Sequence, residues 1–335
     1  MSILLQEHEV LLDNTERKNI YLSITIPTFK RFDLLEKALN SVLDLKFPFP
    51  IEILIVDNCP ESKSDAVVFV NKFKHTENIK YVVNRNNIGM FRNWNQCIAL
   101  SKGKYITILN DDDLLRANFP AALLEVMPNE RCDLTNGIVS FLDEVLDERE
   151  QSLKRDIPSL VRMLQVIHVL FKKHFRQKYL VKTDFFFRNY IHGTLGVVFK
   201  RDFALNLSGF NPDMYPIGDW EFWLRWSICY GKITRSHYVV ATYRIKENES
   251  FNSDTLAAFP PAVKAMRYKY IESNNFPSLL KLLISPLDKY EGMLGKLSFG
   301  NPNEYKFSKL SLVYFYSFKM VQSVMSKIFK FYFKS

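Results

Sequence analysis

The sequence predicts an α/β fold in which a mostly parallel sheet is flanked by helices and followed by a helical C-terminal extension. The first half of the 335-residue chain alternates short apolar runs with longer amphipathic ones, which is the pattern of a parallel sheet with helical crossovers. After about Asn252 the composition turns helical and rich in lysine and aromatic residues. With 47% apolar and 14% aromatic residues, the chain can bury a large core.

The short apolar runs predict strands over residues 21–27, 51–56, 79–83 and 105–109, and the runs between them predict helices over 31–45, 64–74 and 90–101. In the first helix, apolar residues recur with the spacing of one buried face: Leu34, Leu35, Ala38, Leu39, Val42 and Leu45. The stretch 131–190 is less regular and includes a basic, strongly helical segment over 160–173. A further strand is predicted over 192–199, and an aromatic run covers 214–226.

Polar residues follow each of the first four predicted strands at its carboxyl end. They are Pro27-Thr28, Asp57-Asn58, residues 84–87 and residues 110–113. Turn chemistry alone explains any one of them, because Asn, Asp and Pro favour turns for local reasons. Open α/β sheets bind ligands at the carboxyl ends of their strands, so four such groups at one edge predict a ligand site.

Three consecutive carboxylates, Asp111, Asp112 and Asp113, follow the strand predicted over 105–109. Like charges this close repel, so the cluster needs open water or a cation. A divalent metal that carries a phosphorylated ligand satisfies that need. The alternative is a solvated turn in which one aspartate caps a helix that begins near Leu114.

The formal charge of +9 is concentrated at the C-terminus. From Ser278 to Ser335 there are nine lysines and three acids, which give +6, so the other 277 residues carry +3. A near-neutral body argues against nucleic acid as a partner, and the basic tail favours contact with an anionic surface.

The tail itself predicts a two-faced helix. On a helix the lysines at 309, 319, 327, 330 and 334 fall within an arc of about 80°, opposite an apolar face. The apolar runs are too short to cross a bilayer, so the helix either lies on a membrane surface or packs on the catalytic domain.

The cysteines and the N-terminus predict a cytoplasmic protein. The basic tail adds the expectation that it contacts the inner face of the cell membrane. Cys59, Cys97, Cys132 and Cys229 lie far apart and form no CxxC pair, which favours a reducing compartment. The N-terminal residues include acids and no basic region followed by an apolar stretch, so no signal peptide is predicted.

Four segments between about Tyr21 and Lys246 resemble the motifs of glycosyltransferase family 2, the inverting nucleotide-sugar transferases with the GT-A fold. The family's opening strand is matched by SITIPTFKR, and its second strand with a terminal acid by ILIVDNCPES. Its long helix, glycine turn and acidic motif are matched by NIGMFRNWNQCIALSKGKYITILNDDDLL. The late motif with the catalytic base is matched by LSGFNPDMYPIGDWEFWLRW.

The resemblance implies a nucleotide-sugar donor and a divalent metal, Mn²⁺ or Mg²⁺, as cofactor. It aligns Asp112 with the metal-binding acid, Asp111 with the acid that holds the ribose or sugar, and Asp57 with the acid that binds the nucleobase. Asp113 assists from the same turn, and Asn110 stands where the family usually has Asp. The other donor-side residues are Pro27, Thr28, Arg31, Asn58, Asn87, Gly89, Arg92 and Asn95. The alternatives are an Asx turn for Asp57 and a solvated side chain for Arg92.

On the acceptor side, the resemblance aligns Asp219 with the general base that takes the proton of the acceptor hydroxyl. Gly218 precedes it where many relatives have Glu, and Glu221 is the fallback base. Trp220 and Trp223 offer flat surfaces for a sugar, with core packing as the alternative. The segment that begins at His192 resembles one that lines the acceptor side of the cleft in the family, which makes His192 an acceptor-side candidate, with a structural role as the alternative.

These features predict an inverting, metal-dependent glycosyltransferase of bacterial surface polysaccharide synthesis, such as O-antigen or capsule, with a saccharide or lipid-linked saccharide acceptor. The expected domains are a GT-A catalytic domain over 1–250, with a nucleotide-sugar half (about 20–130) and an acceptor half (131–250), and an extension over 251–335. One rival is a sugar-phosphate nucleotidyltransferase, which usually has a glycine-rich loop that PTFKRFDLL lacks. The other is a non-enzymatic membrane-surface binding protein.

Overall fold

The computed structural model describes residues 3–15, 19–127, 133–147, 178–245, 253–273 and 275–298, together with 311, 314, 317 and 318. The predicted segments 160–173 and 309–334 therefore lie outside the described residues, except for four positions of the tail. The chain divides into two compact units. The first comprises Met1–Glu148, Ile191–Asp213 and Lys232–Lys246, and the second comprises Arg149–Tyr190, Met214–Gly231 and Glu247–Ser335.

The strands are β1 (His8–Asp13), β2 (Leu22–Thr28), β3 (Ile51–Asp57), β4 (Ile79–Asn84), β5 (Tyr105–Ile108), β6 (Leu114–Leu115), β7 (Ile138–Asp147), β8 (Tyr179–Leu180), β9 (Val197–Lys200) and β10 (Ile233–Ile245). The α-helices are α1 (Phe32–Leu43), α2 (Lys63–Lys72), α3 (Met90–Leu100), α4 (Phe119–Val126), α5 (Lys182–Phe187), α6 (Arg201–Asn206), α7 (Gly218–Cys229), α8 (Ser253–Glu272) and α9 (Lys281–Ser298). Short 3₁₀ turns cover Pro60–Ser62, Thr135–Gly137, Pro212–Met214 and Ser278–Leu280.

The predicted α/β fold with C-terminal helices is confirmed. In the first unit the sheet order is β1-β4-β3-β2-β5-β9-β7-β10-β6. The pairs β2–β3, β3–β4, β2–β5 and β7–β10 are parallel, whereas β1 and β9 pair antiparallel with their neighbours. The strands and helices predicted between residues 21 and 109 all form, and their ends differ from the prediction by at most two residues.

Strand β3 is apolar on both of its faces because both faces are buried. Ile53 and Ile55 belong to the large core cluster, while Leu54 and Val56 pack with Cys97 of α3. Successive side chains of a strand point to opposite faces, so helices cover both faces of the sheet. The polar residues at the strand ends are therefore left at the sheet's edge, where they form the site.

Two predicted elements differ from the structure. The strand predicted over 192–199 begins only at Val197, because Gly193 and Gly196 adopt positive φ angles of 65° and 68° that interrupt an extended chain. The helix near Leu114, which belongs to the alternative interpretation of the acidic turn, is absent, since Leu114 and Leu115 pair with Thr242 and Ala241 of β10. Helix α4 begins at Phe119 instead.

The second unit contains α5 and α7 to α9. Trp220, Trp223 and Trp226 of α7 are all at most 1% exposed and form much of its core. Among the described residues, no helix has both the length and the apolar composition that crossing a bilayer requires.

Candidate active site

The site is built where the chain reverses its direction of winding across the sheet. Strand β2 lies between β3 and β5, and all three run parallel, so their carboxyl ends meet at one edge. Thr28 ends β2, and its hydroxyl donates a hydrogen bond to Asp111 Oδ2 at 2.7 Å across that edge. Pro27 lies one residue earlier, inside β2 and opposite Val56. The crevice at such a switch point is the usual ligand site of an open α/β sheet.

Arg31 joins the first loop to the acidic turn. Its Nε donates to Asp111 Oδ2 at 3.3 Å, its Nη2 pairs with Asp111 Oδ1, and its Nη1 donates to Asp112 Oδ2 at 3.1 Å. Asp111 is 1% exposed and Asp112 is 8% exposed, whereas the Arg31 side chain is 33% exposed. The guanidinium therefore partly shields both carboxylates from solvent and offsets their mutual repulsion.

Arg244 of β10 supports the acidic turn from within the protein. The Arg244 guanidinium donates to the backbone carbonyls of Asp112 and Asp111, at 2.5 Å from Nε and 3.4 Å from Nη2. The Arg244 backbone N–H donates to Asp113 Oδ1 at 3.2 Å, and Asn110 donates to the other oxygen of Asp113 at 3.3 Å. Asp113 thus fixes the turn, and it does not cap a helix near Leu114.

Burial dominates the acid–base properties of this turn. It raises the pKa of Asp111 to about 6, although Arg31 and Thr28 both act to lower that pKa. Burial and the neighbouring Asp112 charge raise the pKa of Asp113 well above its ordinary value. Both shifts mean that negative charge is costly here and that additional positive charge is favoured.

Asp57 ends β3 and is fully buried. Its Oδ1 accepts from the Cys59 backbone N–H at 2.9 Å, and its Oδ2 accepts from the Tyr81 hydroxyl at 2.8 Å. Burial raises the pKa of Asp57 to about 6 against the lowering effect of these two donors. The Cys59 contact is the Asx turn of the alternative interpretation, and each carboxylate oxygen keeps a lone pair that a nucleobase donor can use.

A network of amide side chains holds the loop that precedes α3. Asn58 donates to Asn87 Oδ1 at 2.8 Å and accepts from the Ile88 backbone N–H at 3.0 Å. Asn87 also accepts from the backbone N–H of Gly89, whose φ of 79° places the chain in the left-handed region before the helix begins. Asn84, which belongs to the polar group over 84–87, and Asn93, which the sequence did not single out, extend the network inward.

Arg92 and Asn95 lie on α3 but in different surroundings. Arg92 is exposed near the start of the helix, as the solvated alternative expects. Asn95 is 9% exposed, and its side chain donates to the Phe210 carbonyl at 2.8 Å and accepts from the Phe210 N–H at 2.7 Å. The structure therefore gives Asn95 a bracing role, and its donor-binding role remains a prediction.

The acidic turn offers oxygen ligands, which suit a hard divalent cation. Within the described ranges, no three His, Cys, Asp or Glu side chains come together in a group that could hold a metal by itself. A cation of this kind commonly takes one or two carboxylates from the protein and the rest of its ligands from substrate phosphates and water. The residues present fit a metal that is shared with a diphosphate, and the role of Asp112 as its protein ligand remains a prediction.

The predicted base belongs to the second unit. Asp219 lies in the first turn of α7, and Asn189 donates to its Oδ2 at 3.1 Å. Glu221 is 1% exposed and accepts from Arg225 at 2.8 Å and from the Tyr270 hydroxyl at 2.6 Å. Glu221 is thus a buried structural carboxylate with its own cation, which makes it a poorer fallback base than the sequence implied.

The three acceptor-side residues differ in exposure. His192 is exposed in the first unit. Trp220 is 1% exposed and donates to the Phe185 carbonyl at 2.6 Å, and Trp223 is fully buried. The burial of both indoles favours the core interpretation, while their role in acceptor binding remains a prediction.

Four residues at these sites have no clear signal in the sequence: Arg244, Tyr81, Asn93 and Asn189. Arg244 is separated by 131 residues from Asp113, so no local motif links the two. A single arginine inside the apolar run VVATYRI is the one sequence feature that could have drawn attention to it, because a buried arginine needs a partner.

Comparison with known proteins finds one matching family profile and relatives that are glycosyltransferases. The family profile described as Glycosyl transferase family 2 matches residues 23–192, about half of the chain. A GalNAc(5)-diNAcBac-PP-undecaprenol beta-1,3-glucosyltransferase of Campylobacter jejuni is 32% identical over 136 residues, which are 40% of this chain and 41% of that protein. The abequosyltransferase RfbV of Salmonella typhimurium is 32% identical over 114 residues, 34% of each chain. The matched part thus spans well under half of either relative.

Among solved structures, the mannosyltransferase PcManGT from Pyrobaculum calidifontis, in complex with GDP-Man and Mn²⁺, aligns over 97% of this chain and 90% of its own. The TM-score is 0.55 at 13% sequence identity, so this likeness concerns the fold.

Proposed function

The chain belongs to glycosyl transferase family 2, and on that premise we propose that it transfers a sugar from a nucleoside diphosphate sugar to a hydroxyl of a saccharide acceptor, with inversion at the anomeric carbon. The observation that carries the proposal is the constellation of Thr28, Arg31, Asp111 and Asp112 at the switch point of the sheet. These groups converge on buried carboxylates at the edge where ligands of such folds bind.

Each donor-side group has a defined task in this proposal. Asp112 holds the divalent cation, Mn²⁺ or Mg²⁺, which when bound neutralises charge on the departing diphosphate. Asp111, fixed by Thr28 and Arg31, holds the ribose or the sugar. Asp57 accepts a hydrogen bond from the nucleobase. Asn58, Asn87 and Gly89 shape the loop beside the phosphates through their amide network.

Asp219 is the proposed general base that takes the proton of the acceptor hydroxyl as the new bond forms. The hydrogen bond from Asn189 supports this role, because it holds one carboxylate oxygen in a fixed direction. The proposal keeps a nucleotide-sugar half at about 20–130, an acceptor half over 131–250 and an extension over 251–335. By its contacts, the second compact unit instead groups 149–190 and 214–231 with the residues of the extension.

The wider setting is surface polysaccharide synthesis at the cytoplasmic face of a bacterial membrane, with a lipid-linked saccharide as acceptor. The name of the Campylobacter relative, which includes an undecaprenol-linked saccharide, supports this setting. The basic tail, with +6 over its last 58 residues, supports peripheral contact with an anionic membrane.

A donor screen followed by two variants tests the proposal. UDP-, GDP-, CDP- and dTDP-sugars, each with and without Mn²⁺, are expected to raise the Tm for one nucleotide class in a cation-dependent manner. Asp112→Asn abolishes that shift and sugar transfer while the circular dichroism spectrum is kept, and the exposed Asp44→Asn is the matched control. Asp219→Asn keeps the shift and lowers kcat by about 10² or more.

Two results would contradict the proposal. Full transfer activity in Asp112→Asn would contradict the assignment of Asp112 as the cation ligand. Release of pyrophosphate from a nucleoside triphosphate, in place of transfer from a nucleoside diphosphate sugar, would favour the nucleotidyltransferase.

A further inference from the structure

Arg31 already contacts the carboxylate that is proposed to hold the cation. Its Nη1 lies 3.1 Å from Asp112 Oδ2, the carboxylate that is proposed to hold the metal, and its Nε and Nη2 contact Asp111. Asp112 is 8% exposed with this guanidinium beside it. A free divalent cation would meet a positive charge already bonded to its own ligand, and the repulsion lowers its affinity.

The guanidinium is nevertheless able to leave. Its side chain is 33% exposed, so part of it already contacts solvent. The Arg31 backbone is fixed independently, because its carbonyl accepts from the N–H groups of Leu34 and Leu35 at the start of α1, at 3.1 and 2.9 Å. A rotation of the side chain alone, with no movement of the loop, would break the contact between Arg31 and Asp112.

A diphosphate supplies what the guanidinium loses on leaving. Phosphate oxygens accept two parallel N–H bonds from an arginine, and these charge-assisted bonds are as good as those to a carboxylate. The diphosphate of a nucleotide sugar carries two negative charges, so it adds no net charge to the site when it arrives with a divalent cation, and a free nucleoside diphosphate adds about one negative charge. The cation and the diphosphate can therefore bind together at a site where each binds poorly alone.

We propose that Arg31 is an exchangeable counter-ion that makes cation and nucleotide bind together. In the donor-free protein it offsets part of the charge of Asp111 and Asp112 and lowers the affinity for free divalent cations. When the cation enters as a complex with a nucleoside diphosphate, Arg31 yields Asp112 to the cation and binds the diphosphate. This inference rests on the proposed function, and it assigns to Arg31 a binding order in addition to its predicted place beside the nucleoside.

The test measures two affinities on the full chain. Mn²⁺ alone is titrated and followed by electron paramagnetic resonance of the free ion, and the nucleoside diphosphate selected in the donor screen is titrated by calorimetry at saturating Mn²⁺. Arg31→Gln is expected to bind Mn²⁺ alone about tenfold more tightly, since one repelling charge a few ångströms away is gone. The same variant binds the nucleotide about tenfold more weakly, because the bidentate contact is lost.

Two further variants make the result specific. Arg31→Lys keeps the charge without the planar fork, so its Mn²⁺ affinity stays near that of the wild type while its nucleotide affinity falls. Arg85→Gln removes an exposed arginine that pairs with Glu7 at 3.2 Å, and it is expected to change neither affinity.

The two proposals fail in different ways. A wild-type protein that binds no nucleoside diphosphate with Mn²⁺ overturns the proposed function. A wild-type protein that does bind it, together with an Arg31→Gln variant whose Mn²⁺ affinity is unchanged or weaker, overturns the counter-ion role alone. Opposite changes in the two affinities of Arg31→Gln support it.

Discussion

The guanidinium of Arg244 donates a hydrogen bond from Nε to the backbone carbonyl of Asp112 at 2.5 Å. This contact joins the end of β10 to the turn after β5, and two further bonds from Arg244 reach Asp111 and Asp113. Since Arg244 is 2% exposed, its guanidinium depends on buried oxygens such as these two carbonyls for its hydrogen bonds. The shape of the acidic turn therefore depends on a residue far away in the sequence.

Arg244→Lys is expected to lower the free energy of unfolding by about 2 kcal/mol or more. Arginine reaches the two carbonyls from separate nitrogens of a planar fork, whereas the single ammonium of lysine cannot keep both contacts in that geometry and leaves a buried acceptor unpaired. Cation-dependent nucleotide affinity is expected to fall about tenfold, since Asp112 is then less firmly oriented. Urea denaturation and calorimetry measure the two effects. Arg116→Lys is the control, because Arg116 forms an exposed ion pair with Glu144 and such pairs contribute little. Equal stability of the two variants would contradict the bracing role.

The raised pKa of Asp57 predicts that the free energy of unfolding depends on pH. Its pKa of about 6 in the folded protein lies above its ordinary value of 3.8, so the folded state takes up the proton first. The stabilisation from this group is thus complete below about pH 4 and is lost as the pH rises through about 6, a change of about 3 kcal/mol. Asp57→Asn removes this titration while its amide can still accept from Cys59 and donate to Tyr81.

The measurement compares the unfolding free energies of wild type and Asp57→Asn by urea denaturation from pH 4 to pH 7.5. The variant is expected to gain stability relative to the wild type across that range. Asp111 and Asp113 titrate in both proteins, so their contributions cancel in the difference. Parallel pH curves for the two proteins would show that Asp57 has no raised pKa.

The first half of the fold was predictable because its signals are local. Apolar runs, helical periodicity and polar residues at strand ends all lie within a few residues of one another, and they identify β2 to β5 and α1 to α3. Strands β7 and β10 were not predicted as such. Their sequences, IVSFLDEVLD and ITRSHYVVATYRI, carry charged residues that neither alternate nor break the run cleanly.

The candidate site was predictable to the same extent. The carboxylates of the acidic turn end an apolar run, and this pattern is visible without a structure. The partners of those carboxylates are not, because Arg31 lies 80 residues before Asp111 and Arg244 lies 131 residues after Asp113. Pairings over such distances depend on sheet order, which a single sequence does not specify.

Gly209 lies next to the Asn95–Phe210 hydrogen bonds that anchor α3, and a substitution there tests their contribution. Its φ is 65°, and a Cβ at this position would lie 2.1 Å from Asn95 Oδ1, the atom that accepts from Phe210. Gly209→Ala is expected to cost about 3 kcal/mol, from left-handed strain and the loss of both Asn95 hydrogen bonds. Gly193→Ala is the matched control, since its φ is also 65° but no atom lies within 4 Å of the added Cβ.

Thermal unfolding of the two alanine variants separates strain from contact. Gly193→Ala is expected to lose about 1 kcal/mol from strain alone. If both variants lose the same amount, the Asn95 contact contributes nothing, and the extra cost assigned to Gly209 is wrong.

Tyr270 and Glu221 give the last prediction, which separates a structural carboxylate from a base. The Tyr270 hydroxyl of α8 donates to Glu221 Oε1 at 2.6 Å, and Glu221 is 1% exposed. Tyr270→Phe is expected to lower the free energy of unfolding by about 2 kcal/mol, because a buried charge loses a donor. Tyr268→Phe, on the same helix and half-buried, has no described hydrogen bond to lose and serves as control.

Glu221→Gln completes the comparison with Asp219→Asn. If Glu221 has a structural role, Glu221→Gln is expected to lose stability because its ion pair with Arg225 is broken, while kcat falls by less than about tenfold. Asp219→Asn is expected to show the reverse, with stability kept and kcat lowered by about 10² or more. Denaturation and transfer kinetics on both variants decide the assignment. A large loss of kcat in Glu221→Gln, with Asp219→Asn still active, would make Glu221 the base and assign to Asp219 the structural role.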